Sequence, residues 1–467
     1  VKVLLIAYDN GSFIHHFPLG LGYIASALRE AGHDVEIYNQ DKNHWPDQHL
    51  ATYLYHNPVD VVGLGIIAGY YQYQKILAIS KAVMEARSAG VEFLYVLGGH
   101  GPSPEPEFFL KKTGADVVVL GEGERTFVEL LDAEKQGIGR EAVNGIYFLA
   151  EDGTGVKTAA RPLISNIDGI PWPAWDLFPM DYYSLIRLSH TANEDRVAAV
   201  VSARGCPFKC NFCYRLDKGI RLRSPEPIVT EMQELRSKYG MNYFGFLDEL
   251  LMFGEQRTIA VSNAIEEAFF GSVKWACNGR LNYATPKVLK AMKDSGCVEI
   301  NYGVECFDDE VLRRMNKQLT TRQIEEGTKA TLDSGITPTL NVMFGNLGET
   351  EETLWKTVEF MLKYDPHETL RTIRPLTPYP GSPLYYQAIE MGLLEGPEDF
   401  YENKHTNSDL MSVNFTDIPD DRFYELLLQA NGMLIEKYYE RQRERNEEVL
   451  DSLYRKKDAS FRGFRQT

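Results

Sequence analysis

The sequence predicts an α/β protein made of two successive blocks and a helical tail, and three observations lead there. Short β-rich apolar runs alternate with amphipathic segments over residues 1–150; the alternation breaks in a stretch rich in proline and aromatic residues, then resumes over 196–390. Beyond about residue 392 one long charged pattern at helical spacing replaces it. Residues 1–150, 151–195, 196–390 and 391–467 are therefore read as a first α/β domain, a linker, a second α/β domain and a helical carboxyl-terminal region.

In the first block the strand candidates are residues 3–8, 35–38, 59–64, 93–97 and 117–120, with helical patterns at 21–31, 48–56, 74–89, 105–112 and 124–133. A doubly wound, Rossmann-like parallel sheet is the economical solution, with 145–149 as a final edge strand. Ligands of such sheets bind beyond the carboxyl ends of the strands. The turns there hold Gly65, Gly69, Gly98, Gly99, Gly101, Gly121 and Gly123, which either make tight turns or let backbone approach a ligand. No G-x-G-x-x-G follows the first strand, so an ordinary dinucleotide site is poorly supported.

The linker contains Ile170-Pro-Trp-Pro-Ala-Trp-Asp-Leu-Phe-Pro179, whose prolines fix the backbone and remove donors. It reads as an extended connection packed across a domain interface. In the second block strands are expected at 198–201, 243–247, 274–277, 299–303, 337–344 and 369–374, and helices at 227–239, 257–268, 286–295, 321–334 and 352–364. Residues 423–453 form the long helical pattern of the tail, expected to cover the open side of the second domain, and basic residues follow at Arg455 to Lys457 and Arg462 to Arg465.

A formal charge of −17 argues against nucleic acid as a partner, which needs a basic surface. No apolar run approaches the roughly 20 residues of a membrane span, and no signal-peptide pattern opens the sequence, so a cytoplasmic location is expected. Six cysteines, three of them clustered, fit a reducing compartment better than a disulfide framework.

The clustered cysteines carry the chemistry. Cys206, Cys210 and Cys213 stand in a C-x3-C-x2-C spacing just after a strand, a soft ligand set for an iron-sulfur cluster or zinc. Zinc would want a fourth protein ligand, and no Cys or His occurs between Cys213 and Cys277. This spacing, with Phe212 before the last cysteine, resembles the signature of the radical S-adenosylmethionine (SAM) superfamily. The resemblance implies a [4Fe-4S] cluster whose fourth iron is open to SAM, inside a partial (β/α)6 TIM-like barrel. The first domain resembles the cobalamin-binding domain that precedes many such barrels, through Pro18-Leu-Gly-Leu-Gly22, Val62-Gly-Leu-Gly65, Leu97-Gly-Gly-His100 and Leu120-Gly-Glu-Gly-Glu124. The D-x-H-x-x-G of histidine-ligated cobalamin proteins is replaced by Asp9-Asn-Gly-Ser-Phe-Ile-His-His16, so no protein histidine is expected on the cobalt.

Carried over by position, the resemblance implies SAM contacts from Phe212, Glu249, Arg280, Glu305 in Gly303-Val-Glu-Cys306, and Asn341. It implies cobalamin contacts from Gly65, Tyr70, Tyr71, Gly98, Gly99, His100, Gly121 and Glu122, with Tyr70 or Tyr71 below the cobalt and His15, His16 and His100 as rivals. Glu249 and Glu305 have a plainer reading as helix caps, and Arg280 as an ion-pair partner. Cys277, Cys297 and Cys306 read as buried apolar thiols, with Cys306 near enough to the cavity to be weighed as a hydrogen-atom donor.

The implied activity is reductive cleavage of SAM to a 5′-deoxyadenosyl radical and methylation of an unactivated carbon in a small-molecule or peptide substrate, with flavodoxin or ferredoxin as electron donor. A cobalamin-dependent oxidative cyclase or ring-rearranging enzyme of the anaerobic porphyrin cyclase type is the enzymatic alternative. A cofactor-binding sensor or scaffold is the non-catalytic one.

Overall fold

Strand Lys2–Ala7 (β1) turns Val3 and Leu5 toward one apolar layer and Leu4 and Ile6 toward another, so an unbroken aliphatic run is what this position demands. The chain is described here from a computed structural model covering residues 1–12, 15–67 and 69–460; Phe13, Ile14, Arg462 and Arg465 fall outside the described residues. Helices Leu19–Glu30 and Gly123–Gln136 cover the Val3 side of the sheet, and His49–His56, Tyr70–Ser88 and Pro106–Thr113 cover the other. The remaining strands are Asp34–Asn39 (β2), Val61–Gly65 (β3), Leu94–Gly98 (β4), Val117–Val119 (β5), Ile146–Leu149 (β6) and Gly155–Lys157 (β7), in the order β2-β1-β3-β4-β5-β6-β7. The first five run parallel, giving the expected doubly wound layer; β6 and β7 are antiparallel. The sheet edge is thus β7 and not 145–149: a turn closed by Ala150 N–H on Thr154 O folds three further residues back, too few to show an alternation in sequence.

The linker is a plug. Phe17 packs on Trp175, Phe178 and Tyr183 at ring distances of 4.4, 4.7 and 5.6 Å, and these four rings belong to the same apolar cluster as the second domain's core. Gly22 permits this approach, since a Cβ there would lie 2.8 Å from Pro173 Cβ.

The second domain is an open, all-parallel six-stranded half-barrel in the order β15-β14-β13-β12-β11-β8. Its strands are Val197–Val200 (β8), Tyr243–Phe246 (β11), Lys274–Gly279 (β12), Cys297–Glu305 (β13), Thr337–Phe344 (β14) and Arg374–Pro375 (β15). Two residues each of Ala203–Arg204 (β9) and Arg221–Leu222 (β10) form a separate antiparallel ribbon. The sixth strand is far shorter than the 369–374 run suggested: His367, at φ +53°, bends the chain before it, and the Ile373 N–H and C=O are taken by the Asn431 side chain instead of by a neighbouring strand.

The carboxyl-terminal region divides its contacts instead of simply covering the barrel. In helix Asp420–Leu450, Phe423, Leu426, Leu427 and Ala430 join the barrel core, with Phe423 stacked on Phe344 at 4.7 Å. Tyr385, Phe400 and Tyr401 pack instead on the first domain, where Tyr401 lies 4.9 Å from Tyr73 and 5.4 Å from Phe109. His405 is sealed beneath them: it is 0 % exposed, stacks on Phe400 at 5.1 Å, and leaves Nδ1 without a partner. Burial pulls its pKa down to about 4.

A depressed histidine pKa means that between about 6.5 and 4 the unfolded chain binds a proton that the folded chain refuses, so stability falls as pH drops through that window. The contribution by pH 4 is about 3 kcal/mol. Denaturant unfolding at neutral pH and near pH 4.5 should show a smaller difference for His405→Phe than for the wild type; an equal difference would place the acid sensitivity elsewhere.

Candidate functional site

Cys206, Cys210 and Cys213 sit on the loop between β9 and β10, at the carboxyl end of the first barrel strand. The loop is pinned by backbone: Asn211 N–H donates to Met315 O at 2.9 Å, Leu384 N–H to Asn211 O at 2.9 Å, and Asn316 Nδ2 to Lys209 O at 2.8 Å. Gly205, at φ +80°, turns the chain into it, and a Cβ there would stand 2.5 Å from Gly219 O.

The loop's electrostatics favour ionisation of one thiol of the three, since the neighbouring Cys210 and burial push Cys213 up. The Cys210 thiol accepts from that of Cys213, and with Lys317 and Arg280 nearby its pKa falls to about 6, against the opposing effect of burial. Burial pushes Cys206 up. Arg280 is buried with its guanidinium 3.7 Å above the Phe208 ring, Nη2 donates to the carbonyls of Lys317 and Gln318, and Nε has no partner. Arg280 is therefore held by carbonyls and a ring, not by the carboxylate that an ion-pair role requires. Among the described residues no three His, Cys, Asp or Glu side chains converge on a single metal ion. The fit to a cluster rests on the donor set: three thiols, two flanking cations and an unsatisfied buried N–H on Arg280.

The other SAM candidates sort by accessibility. Glu249 is exposed beside the loop, with Oε2 accepting from Gly205 N–H at 3.1 Å. Asp248 beside it is buried: Ser202 donates to it through N–H at 2.6 Å and through its hydroxyl, and burial raises its pKa to about 6. Asn341 is exposed and ends an amide ladder across three strands: its Nδ2 donates to Asn301 Oδ1 at 2.5 Å, Asn301 Nδ2 to Asn278 Oδ1 at 2.9 Å, and Asn278 Nδ2 to Asp248 O at 2.6 Å. Glu305 sits at a bulge with φ +68° and pairs with Lys317 at 2.6 Å, each side chain only 9 % exposed. Phe212 packs on Cys306, Val311 and Met315. Cys306 is 0 % exposed among these residues and Thr357, and burial raises its pKa, which keeps it a protonated thiol.

At the strand ends of the first domain, a Cβ on Gly65 or Gly98 would meet nothing nearer than 3.6 Å, and one on Gly121 nothing within 4 Å. Packing does not demand these glycines, although Gly121 at φ +74° has a backbone that favours glycine, and the room above them suits a bulky cofactor. Gly99 is different: at φ +98° its Cβ would strike Ile66 O at 2.5 Å. His100 is exposed toward the cleft with its ring 6.1 Å from that of Tyr214, and surrounding protein lowers its basicity while Glu249 opposes this. Tyr70 and Tyr71 open a helix, with Tyr71 exposed. Glu122 faces the barrel, not the cleft: hydrogen bonds from Ile164 N–H, Arg204 and Arg221 outweigh burial and hold its carboxyl below the usual range.

Sequence reasoning missed Lys317, Asn301, and Arg204 with Arg221. Lys317 lies between two left-handed residues, Asn316 and Gln318, in a turn with no motif around it. Only the inward register of β13 could have marked Asn301.

Two family models match the chain, that of the radical SAM superfamily over residues 200–361 and that of the B12 binding domain over residues 12–131. An uncharacterized methyltransferase of Pyrococcus horikoshii is 32 % identical over 84 % of this chain and 84 % of its own. The anaerobic magnesium-protoporphyrin IX monomethyl ester cyclase of Rubrivivax gelatinosus is 28 % identical over 79 % of this chain and 66 % of its own. Among solved structures, the radical SAM methyltransferase TsrM of Kitasatospora setae superposes with a TM-score of 0.71 over 93 % of this chain and 88 % of its own, at 17 % identity.

The Glu305–Lys317 pair can be tested without any cofactor. Lys317→Met should cost about 3 kcal/mol in denaturant unfolding, because it strands a buried carboxylate. Adding Glu305→Gln should recover most of that loss; a single variant as stable as the wild type would show that the pair is well solvated.

Proposed function

The chain belongs to the cobalamin-binding branch of the radical SAM superfamily, an enzyme family whose cofactors are a [4Fe-4S] cluster, SAM and cobalamin, and from that premise we propose that it methylates an unactivated carbon of a small-molecule or peptide substrate by radical chemistry. The observation that carries this reading is the placement of a three-thiol loop at the mouth of an open parallel barrel, tied by Arg204 and Arg221 to a domain whose strand-end glycines leave space.

Cys206, Cys210 and Cys213 would hold the cluster, and the strand-end glycines with His100 would border the cobalamin. When bound, these groups supply an electron to the sulfonium of SAM and a transferable methyl group. The chain's own residues do the positioning. Glu249 is fixed by Gly205 N–H and presents an exposed carboxylate to the SAM ammonium. Asn341 is oriented by the amide ladder, so its exposed amide needs little reorganisation to meet a polar group of SAM. Arg280 and Lys317 offset thiolate charge near the loop. The linker rings join the barrel's apolar cluster, and a first domain held there would exclude water from the barrel mouth. Radical SAM enzymes draw on a reductant; flavodoxin or ferredoxin is the proposed donor. Among the described residues no helix is long and apolar enough to cross a membrane.

The likeness to the magnesium-protoporphyrin cyclase favours oxidative cyclisation as the second reading. Abortive turnover of anaerobically reconstituted protein with SAM and dithionite separates the two. Radical methylation predicts both 5′-deoxyadenosine and S-adenosylhomocysteine; cyclisation predicts the first nucleoside alone. S-adenosylhomocysteine alone would mean methyl transfer without a radical, and neither product would point to a sensor or scaffold. Replacing Cys206, Cys210 and Cys213 with Ala should remove the cluster's visible absorbance together with 5′-deoxyadenosine.

A further inference from the structure

The loop that carries the cysteines has a flaw built into its base. In the ribbon that closes it, Arg204 of β9 and Arg221 of β10 stand directly opposite each other. Like charges in that position destabilise an antiparallel pair, and a ribbon of two residues per strand has little ladder energy to set against them. The group that bridges them comes from the other domain: Glu122 Oε1 lies 2.8 Å from Arg204 Nη1 and 2.8 Å from Arg221 Nη1. Its second oxygen accepts from Ile164 N–H at 2.8 Å, and Arg221 Nη1 also donates to Ile164 O at 2.8 Å, which draws the linker into the same knot. Glu124 takes the other arm of Arg204 at 2.5 Å, and Asp217 the other arm of Arg221. All five charged side chains are 17 % exposed or less, so water screens the arginine pair poorly.

We infer that Glu122 is a positioning residue for the cluster loop: the first domain supplies the one carboxylate oxygen that both arginines at the loop's base share, so docking of that domain sets the shape of the cysteine loop. This rests on the cluster assignment made above. Glu122 belongs to the turn that begins at Gly121, where the strand-end space lies, so a group bound in that space and a cluster held by the loop share one structural element. By linkage, whatever one site gains from the other is returned in equal measure.

The test compares one variant with a charge-compensated variant in the reconstituted protein. Glu122→Gln keeps the shape and removes the charge, and it should release iron to a chelator about tenfold faster, the scale of coupling between contacting residues. Trypsin should cut faster at Lys209, Arg215 and Lys218 in the loop, and the electron paramagnetic resonance signature of the reduced cluster should shift. Removing one of the opposed charges together with its own carboxylate partner, in Glu122→Gln/Arg221→Gln/Asp217→Asn, should restore much of the wild-type behaviour in all three readouts, which a general loss of packing would not do. Wild-type iron retention and cleavage in Glu122→Gln, or a compensated variant no better than the single, overturns the inference. If Glu122→Gln fails to fold, recovery of folded protein in the compensated variant supports the inference and its absence overturns it. The tryptic arm needs no cofactor, so a wild-type protein that takes up no iron would remove the proposed function while still reporting on the clamp.

Discussion

Charge held close together is the constraint around which this molecule is arranged. Three thiols on one short loop become costly as they ionise, and the chain meets this locally with Arg280 and Lys317, in a sequence that is otherwise strongly acidic. Those cations need restraint of their own. Arg280 is fixed by two carbonyls and the face of Phe208, and Lys317 by Glu305 on a strained bulge. At the loop's base a second pair of cations, Arg204 and Arg221, is matched in part from another domain, by Glu122 and Glu124.

The barrel interior is treated differently. Where the loop uses charge, the inward face of β12, β13 and β14 carries neutral amides linked from Asn278 through Asn301 to Asn341. Amides held in sequence by one another present fixed dipoles without competing for an electron or a proton. The buried carboxyls near the site, Asp248 and Glu349, are capped by backbone N–H groups and raised by burial to about 6 and about 7, respectively. They fix loop shape from behind the cavity wall.

Much of this was legible in the residues. Apolar alternation located all five parallel strands of the first sheet and the first five of the barrel, because strands buried on both faces leave a strong signal. The same signal overstated the sixth barrel strand, where the Ile373 backbone is bonded by Asn431 and not by a strand, and passed over Gly155–Lys157, whose pairing depends on a turn and not on composition. The cysteine spacing identified the loop because ligands close in sequence are close in space. Lys317, Asn301 and the Arg204–Arg221 pair left no such trace: each acquires its role from a partner distant in the chain. Glu122 shows the converse. Its motif was noticed, but the side chain faces a guanidinium pair that only the assembled domains bring to it.

The packing of Tyr385, Phe400 and Tyr401 against Tyr73 and Phe109 bears on how such enzymes can be recombined. The chain leaves the first domain through the linker, builds the barrel and then returns, so the amino-terminal unit is completed by a segment more than two hundred residues downstream. A chimera spliced only at the linker would carry an unmatched aromatic face on each parent half. Exchange of the cofactor-binding unit between relatives therefore has to transplant residues 383–404 along with it.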